Sequence, residues 1–255
     1  MTQAPATPPV PAARHRPPRP PVRPGPDRPA PLPVEFWRSA VGKKWVMAVS
    51  GIVLLGFVLV HMIGNLKVYL GEESINRYGE WLRELGEPAL PRTALLWIVR
   101  AVLAGAFVAH IVAAAQLTAM NRRARPVGYQ SPRDYVAANF ASRTMRWTGV
   151  IVALFVVFHL LDLTWGTANP AFVRGEVYDN MVASFRRVPV AIAYIAANVA
   201  LAVHIFHGAW SLFQTLGWNH PRLNPARRWF AAGFAVVVGA GNISMPLLIV
   251  TRVVG

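Results

Sequence analysis

Long apolar runs separated by short polar segments make up most of the chain after residue 35. Each run is close to the roughly 20 residues that an α-helix needs to cross about 30 Å of hydrocarbon. They lack the sustained apolar–polar alternation that is typical of membrane β-barrels, and we find no convincing internal repeat. The pattern predicts an all-α polytopic membrane protein, a bundle of five transmembrane helices over residues 44–69, 93–121, 145–166, 188–216 and 228–252.

The first 35 residues have a different character, because they hold 13 of the 22 prolines, several arginines and few large apolar side chains. Such a segment cannot bury enough apolar surface to offset the entropy of ordering it. It also lacks the apolar centre of a signal peptide, so we expect no cleavage. We therefore expect a disordered cytoplasmic tail over residues 1–35 and a membrane domain over residues 36–255.

Composition and charge agree with a membrane protein. Hydrophobic residues make up 54% of the chain and charged residues only 15%, against about a quarter charged in soluble domains. The net charge of +15 does not indicate nucleic-acid binding, because the basic residues concentrate in the tail and in the loops after the second and fourth predicted helices. By the positive-inside rule, the N-terminus is cytoplasmic and the C-terminus external, in the cell's inner (plasma) membrane. The absence of cysteine excludes thiolate metal ligands and covalently attached haem.

Five of the seven histidines lie inside the apolar runs. An ionisable residue within a membrane span is a candidate functional residue, since it costs free energy unless it has a partner. From their positions along the helices, His61 and His159 lie near the outer side of the membrane, whereas His110 and His204 lie near the inner side. The fifth, His207, follows His204 by one helical turn. Apart from His207, four helices thus carry one histidine each, at two levels.

Two neutral imidazoles facing each other across a helix bundle suit a b-type haem, which takes one ring nitrogen on each side of its iron. Zinc suits the pattern less well, because it takes three or four protein ligands. The histidines therefore predict two b haems, with His207 as a hydrogen-bonding partner of a haem or of its ligands.

Short motifs accompany each of these histidines, and their order and spacing resemble a known family. It is the di-haem cytochrome b subunit, of the five-helix type, that anchors succinate dehydrogenase or fumarate reductase to the membrane. The resemblance covers about residues 36–250. The motifs are His61-Met-Ile-Gly-Asn65 with Gly71, Phe107-Val-Ala-His110, Arg146-Trp-Thr-Gly149 before His159, and His204 with Gly208 and Trp210.

The resemblance implies a membrane-anchor subunit, without the catalytic flavin, of a succinate:quinone oxidoreductase of the respiratory chain. His61 and His159 would be the axial ligands of an outer haem, and His110 and His204 those of an inner haem. The partners would be a flavoprotein subunit and an iron–sulfur subunit on the cytoplasmic side, and the membrane substrate would be menaquinone. Some relatives carry a glutamate linked to transmembrane proton movement where this chain has Ala202, so the resemblance does not extend to that route.

Further candidates follow from the chemistry of haem and quinone. Haem propionates need cationic or hydrogen-bonding partners, although Arg146 and Trp147 equally suit lipid-headgroup anchors and Arg100 can extend to the interface. A quinone site fits the outer side, where Asp162 would serve proton exchange or helix-end solvation, and fits the inner side equally. The propionate candidates are Arg146, Trp147, Ser50, Lys44, Arg100, His207 and Ser211; the quinone candidates are Asn65, Tyr69, Asp162 and Trp165.

Two other functions remain compatible with this sequence. One is a di-haem cytochrome b subunit of another respiratory dehydrogenase, of the hydrogenase or formate dehydrogenase type, which shares the paired-histidine chemistry. The other is a haem-free transporter with a histidine proton relay. A transporter predicts neither matched levels nor one histidine per helix, and it usually carries inverted repeats.

Overall fold

The computed structural model describes residues 31–124, 136–218 and 220–255, with residues 136–143 described by their backbone only. Within these ranges the chain forms α-helices and one 3₁₀-helix and contains no β-strand, which confirms the all-α fold. The 3₁₀-helix, Leu66–Leu70, continues the second helix. The α-helices are α1 (Leu32–Arg38), α2 (Ala40–Asn65), α3 (Glu72–Glu84), α4 (Ala94–Arg123), α5 (Val136–Leu163), α6 (Val177–Phe185), α7 (Val188–Thr215) and α8 (Asn224–Val250).

Five of these helices, α2 with its 3₁₀ extension, α4, α5, α7 and α8, are long and apolar enough to cross a membrane. They coincide with the five predicted spans to within a few residues, except that α5 begins earlier, at Val136. Large apolar side chains cover their outward faces: Ile98, Leu154 and Val236, for example, are all exposed. An exposed apolar helix surface of this extent is suited to lipid rather than to water, so these findings confirm a multi-pass membrane protein.

The start of the described chain differs from the predicted tail. Helix α1 begins at Leu32, within the segment 1–35, and the rest of that segment, residues 1–30, lies outside the described residues. Proline is tolerated in the first turn of a helix because the N–H it lacks would have no partner there, and Pro33 occupies such a position. Ser39 then separates α1 from α2, accepting a hydrogen bond of 2.8 Å from the Gly42 N–H.

The long helices are arranged as two pairs, α2 with α4 and α5 with α7, and α8 packs against α7. Contacts of α2 with α7 and α8 hold the pairs together. Met62 from α2, Ile205 from α7 and Val238 from α8 share one buried apolar cluster at this junction. Small residues let the backbones approach closely in membrane bundles. A Cβ atom at Gly239 of α8 would lie 2.9 Å from the Cβ of Ala202 of α7.

The 3₁₀-helix, α3 and α6 cover one end of the bundle, which we call the capped end. Ile75 of α3 and Phe185 of α6 join Ile249 of α8 in a second buried apolar cluster there. Asn76 ties α3 to α6, because its amide donates to Glu176 (3.1 Å) and its oxygen accepts from the Tyr178 N–H (3.1 Å). Neither segment contains an apolar run long enough to predict a membrane span. The opposite end, called the basic end, carries Lys43, Lys44, Arg122, Arg123, Arg222, Arg227 and Arg228.

We predict that Gly239→Leu destabilises the bundle, whereas Gly233→Leu on the same helix does not. A side chain at residue 239 must push α7 and α8 apart, while one at residue 233 meets open space. Overpacking of this kind costs about 1–3 kcal/mol. Thermal unfolding of the two purified variants in detergent measures the difference, and equal melting temperatures would contradict this account of the α7–α8 contact.

Candidate functional site

The structure brings the four helix histidines together as two facing pairs. The ring centres of His61 and His159 are 5.8 Å apart, and those of His110 and His204 are 6.3 Å apart. These are the same pairs that the depths along the helices predict.

The two pairs lie at different levels of the bundle. His61 and His159 each precede the last residue of their helix, α2 or α5, by four residues, at the capped end. His110 and His204 each follow the first residue of α4 or α7 by 16 residues, which places them further towards the basic end. Each pair joins one histidine of the α2/α4 helix pair to one of the α5/α7 helix pair.

A hydroxyl group supports each histidine of the pair nearer the basic end. Ser50 Oγ lies 3.2 Å from Nδ1 of His110, and Thr148 Oγ1 lies 3.3 Å from Nδ1 of His204. Each hydroxyl donates its own proton to a backbone carbonyl one turn earlier, at 2.7 Å for Ser50 and 2.8 Å for Thr148. The hydroxyl oxygen therefore accepts from the Nδ1–H, which leaves the Nε2 lone pair of each ring available to bind a metal.

The residue after each hydroxyl is a glycine, and the ring rests against it. A Cβ atom at Gly51 would lie 3.6 Å from Cε1 of His110, and one at Gly149 would lie 3.5 Å from Cε1 of His204. Ser50 precedes His61 by 11 residues, and Thr148 precedes His159 by 11. Helices α2 and α5 therefore repeat one arrangement, a hydroxyl and a glycine that support the partner helix's histidine and, 11 residues later, a histidine of their own.

His61 is held differently. Its Nε2 lies 3.2 Å from the side-chain amide nitrogen of Asn65, one turn later on the same helix. Its ring also stacks on Phe57, one turn earlier, with ring centres 5.1 Å apart. The amide nitrogen donates, so Nε2 accepts and the proton of the neutral ring lies on Nδ1. The lone pair that can bind a metal is therefore that of Nε2, which the Asn65 amide contacts here.

A chain of hydrogen bonds leads from His159 to the capped end. Nδ1 of His159 lies 3.4 Å from the Tyr194 hydroxyl, which donates to Asp162 Oδ2 at 2.9 Å. Asp162 is fully buried and also accepts from Ser184 Oγ and, at 2.6 Å, from Arg187 Nη2. This is the single buried ion pair among the described residues. With Tyr194 and Ser184, Arg187 gives the carboxylate three donors, as a buried charge requires.

The spacing of the histidine pairs fits a haem iron between them. An imidazole nitrogen binds a metal at about 2 Å and lies about 1 Å from its ring centre, so two rings on one metal have centres about 6 Å apart. Both observed separations are close to this value. The one group of three potential metal ligands in the described chain is Glu72, Glu176 and Asp179, which includes no histidine. Two nitrogens per level suit the axial positions of a haem rather than a zinc site.

The predicted propionate partners do not form one cluster. Ser50 supports His110, and His207 is buried beside Phe206, with ring centres 5.1 Å apart. Arg100 is exposed and lies over the Trp97 ring at 4.9 Å, which favours its extension to the interface. The remaining four all lie on exposed faces of the bundle: Lys44, Arg146, Trp147 and Ser211.

The predicted quinone residues occupy the capped end. Asn65 contacts His61, and the Tyr69 hydroxyl donates to Ser244 Oγ at 2.7 Å. Trp165 is 62% exposed, whereas Asp162 is fully enclosed by its three donors. Asp162 therefore belongs to the polar network behind His159 rather than to an open surface.

The sequence analysis missed several residues that position the histidines. Thr148 was detectable from its spacing to His159, which repeats the Ser50–His61 spacing. Tyr194 and Arg187 gave no comparable signal, because they reach Asp162 from another helix and from its N-terminal cap. Only the packing of α5 against α7 brings them together.

Comparison with known proteins agrees with the motifs. Residues 135–241 match the model of the succinate dehydrogenase/fumarate reductase transmembrane subunit family. No curated protein and no solved structure matches the chain. The matched segment holds α5, α7 and most of α8, with His159, His204 and the hydroxyl and glycine of residues 148–149. The match confirms, over this part of the chain, the resemblance predicted from the histidine motifs: residues 135–241 are similar to the membrane-anchor subunits of succinate dehydrogenase and fumarate reductase.

Proposed function

We propose that this chain is the membrane-anchor subunit of a succinate:quinone oxidoreductase and passes electrons from an iron–sulfur subunit through two b haems to menaquinone. The observation that carries the proposal is the presence of two facing histidine pairs at two levels of one bundle. The family match over residues 135–241 supports assigning such a bundle to a succinate dehydrogenase or fumarate reductase complex.

The four histidines would be the axial ligands, His61 and His159 for the outer haem and His110 and His204 for the inner one. Bound haem supplies reversible one-electron chemistry at its iron. The chain's own part is to hold the rings. A hydrogen bond from the second ring nitrogen to an acceptor fixes the ring orientation and increases the basicity of the ligating nitrogen, and His110, His159 and His204 each have an oxygen partner at Nδ1.

The two ends of the bundle suit the two sides of the membrane. The basic end would face the cytoplasm and the iron–sulfur and flavoprotein subunits, since cytoplasmic loops carry an excess of lysine and arginine. Lys44, Arg146 and Trp147 are exposed at that end and can meet lipid headgroups, haem propionates or the partner subunit. On this basis the chain would lie in the cell's inner membrane with its C-terminus outside.

The capped end would hold the quinone. Reducing a quinone takes up two electrons and two protons, so its site needs hydrogen-bond donors next to an apolar slot. Asn65, Tyr69 and Trp165 offer an amide, a hydroxyl and an exposed indole near the His61–His159 pair. A quinone bound there would receive electrons from the outer haem.

We predict that replacing any one of the four histidines with alanine removes one haem and leaves the other. His61→Ala and His159→Ala should remove the same haem, and His110→Ala and His204→Ala the other one. Difference spectra of the reduced and oxidised complex, with haem quantitation, measure this. His220→Ala is the control, because this exposed histidine lies beyond the end of α7, and it should keep both haems. If His61→Ala and His110→Ala removed the same haem, the pairing would be wrong.

The partner subunits are tested in the same preparation. Succinate added to the purified complex should reduce both haems, and a subunit carrying covalent flavin should co-purify. Two haems reduced by hydrogen or formate, and not by succinate, would assign the chain to another respiratory dehydrogenase. A colourless and correctly folded complex would favour the transporter instead.

We also predict that Ser50→Ala and Thr148→Ala affect the inner haem alone. Each change removes the acceptor for the Nδ1–H of one ligand, which weakens that ligand as a donor to iron. Haem content and the midpoint potential of each haem measure the effect, and the potential of the inner haem should rise. Thr118→Ala is the control, because this hydroxyl also bonds a carbonyl one turn earlier on its own helix. A shift of both haems by equal amounts would contradict the prediction.

A further inference from the structure

The network behind His159 contains more than a histidine ligand requires. The two histidines nearer the basic end are held by hydroxyls that in turn bond backbone carbonyls, so their support is uncharged. The support of His159 ends instead on a carboxylate and a guanidinium, Asp162 and Arg187, which are 2.6 Å apart. The bundle thus places an ion pair behind one level only, as far as the described residues extend.

The ion pair has a definite order relative to the ring. Tyr194 contacts both His159 and Asp162, whereas Arg187 reaches the other carboxylate oxygen and lies one contact further away. Asp162 is fully buried, while the Arg187 side chain is 32% exposed at the N-terminal cap of α7. The negative charge of Asp162 therefore lies closer to His159 than the positive charge of Arg187 does.

The packing of Tyr194 fixes its hydroxyl between His159 and Asp162. Its ring packs edge-on against Phe155, Phe158 and Phe185, with centre separations of 5.0, 5.8 and 4.8 Å. Its hydroxyl gives its proton to Asp162, so its oxygen is left to accept from Nδ1 of His159. The carboxylate thereby makes the tyrosine oxygen a better acceptor, since linked hydrogen bonds polarise one another.

We propose that Asp162 and Arg187, acting through Tyr194, are positioning residues that set the reduction potential of the iron bound by His159. This rests on the function proposed above. Reduction adds one electron, supplied by the iron–sulfur subunit, and so adds one unit of negative charge at the iron. A nearby carboxylate opposes that addition and a nearby guanidinium favours it, strongly so in an interior of low dielectric constant. The two residues therefore act in opposite directions.

The experiment is a redox titration of both haems in the purified complex and its variants. Asp162→Asn should raise the midpoint potential of the haem that His61→Ala removes, and Arg187→Gln should lower it. Tyr194→Phe should raise it, because the ligand loses its acceptor. We expect changes on the order of tenfold in the ratio of reduced to oxidised haem at a fixed ambient potential, which is about 59 mV for one electron. The potential of the other haem should stay unchanged.

Tyr178→Phe is the matched control. It removes a phenolic hydroxyl at the same capped end, from a residue of α6 that packs against the same apolar cluster as Tyr194. Both potentials should be unchanged in this variant. If Arg187→Gln does not accumulate, Asp162→Asn and Tyr194→Phe decide, since both must raise the potential of the same single haem.

The outcomes separate this proposal from the proposed function. Shifts of the same sign for Asp162→Asn and Arg187→Gln, equal shifts of both haems, or no shift would overturn the role of the ion pair while leaving the haems in place. A wild-type complex without haem would overturn the proposed function itself. Opposite shifts confined to one haem cannot arise from a general loosening of the bundle, so they would support the role directly.

Discussion

A histidine inside a membrane must have a partner for its ring nitrogens, because hydrocarbon offers none. Four histidines of this bundle meet that requirement, and the partners they need determine how the long helices are arranged. In each ring one nitrogen contacts an oxygen or amide of the chain, and the ring as a whole faces another histidine. In His110, His159 and His204 the protein thus satisfies Nδ1 and leaves Nε2 for a group held between the rings.

This requirement explains the arrangement of the helices. Each histidine pair joins the α2/α4 pair to the α5/α7 pair, and the hydroxyl and glycine of α2 and α5 bring the neighbouring ring close to the backbone. The repeat is confined to these few positions, since many of the intervening residues need only be apolar to face lipid or a neighbouring helix. For this reason the sequence analysis found no internal repeat, although the functional positions of α2 and α5 share the same spacing.

Much of the fold was predictable because hydrocarbon thickness fixes the length of an apolar helix. The histidine pairing was predictable as well, since depth along a helix follows from the rise per residue. The network of Tyr194, Asp162 and Arg187 was not, because the direction of a side chain depends on how α5 and α7 are rotated against each other. Asp162 alone suggested a residue at a helix end, and only its neighbours show it to be enclosed. Helices α3 and α6 were missed because they are too short to produce an apolar run.

The central claim is that two haems lie between these four histidines, and the most direct test is the haem stoichiometry of the wild-type chain in its purified complex. The account predicts two b-type haems per chain, both low-spin with two nitrogen ligands. One haem per chain, none, or an iron ligated by a side chain other than these histidines would contradict it.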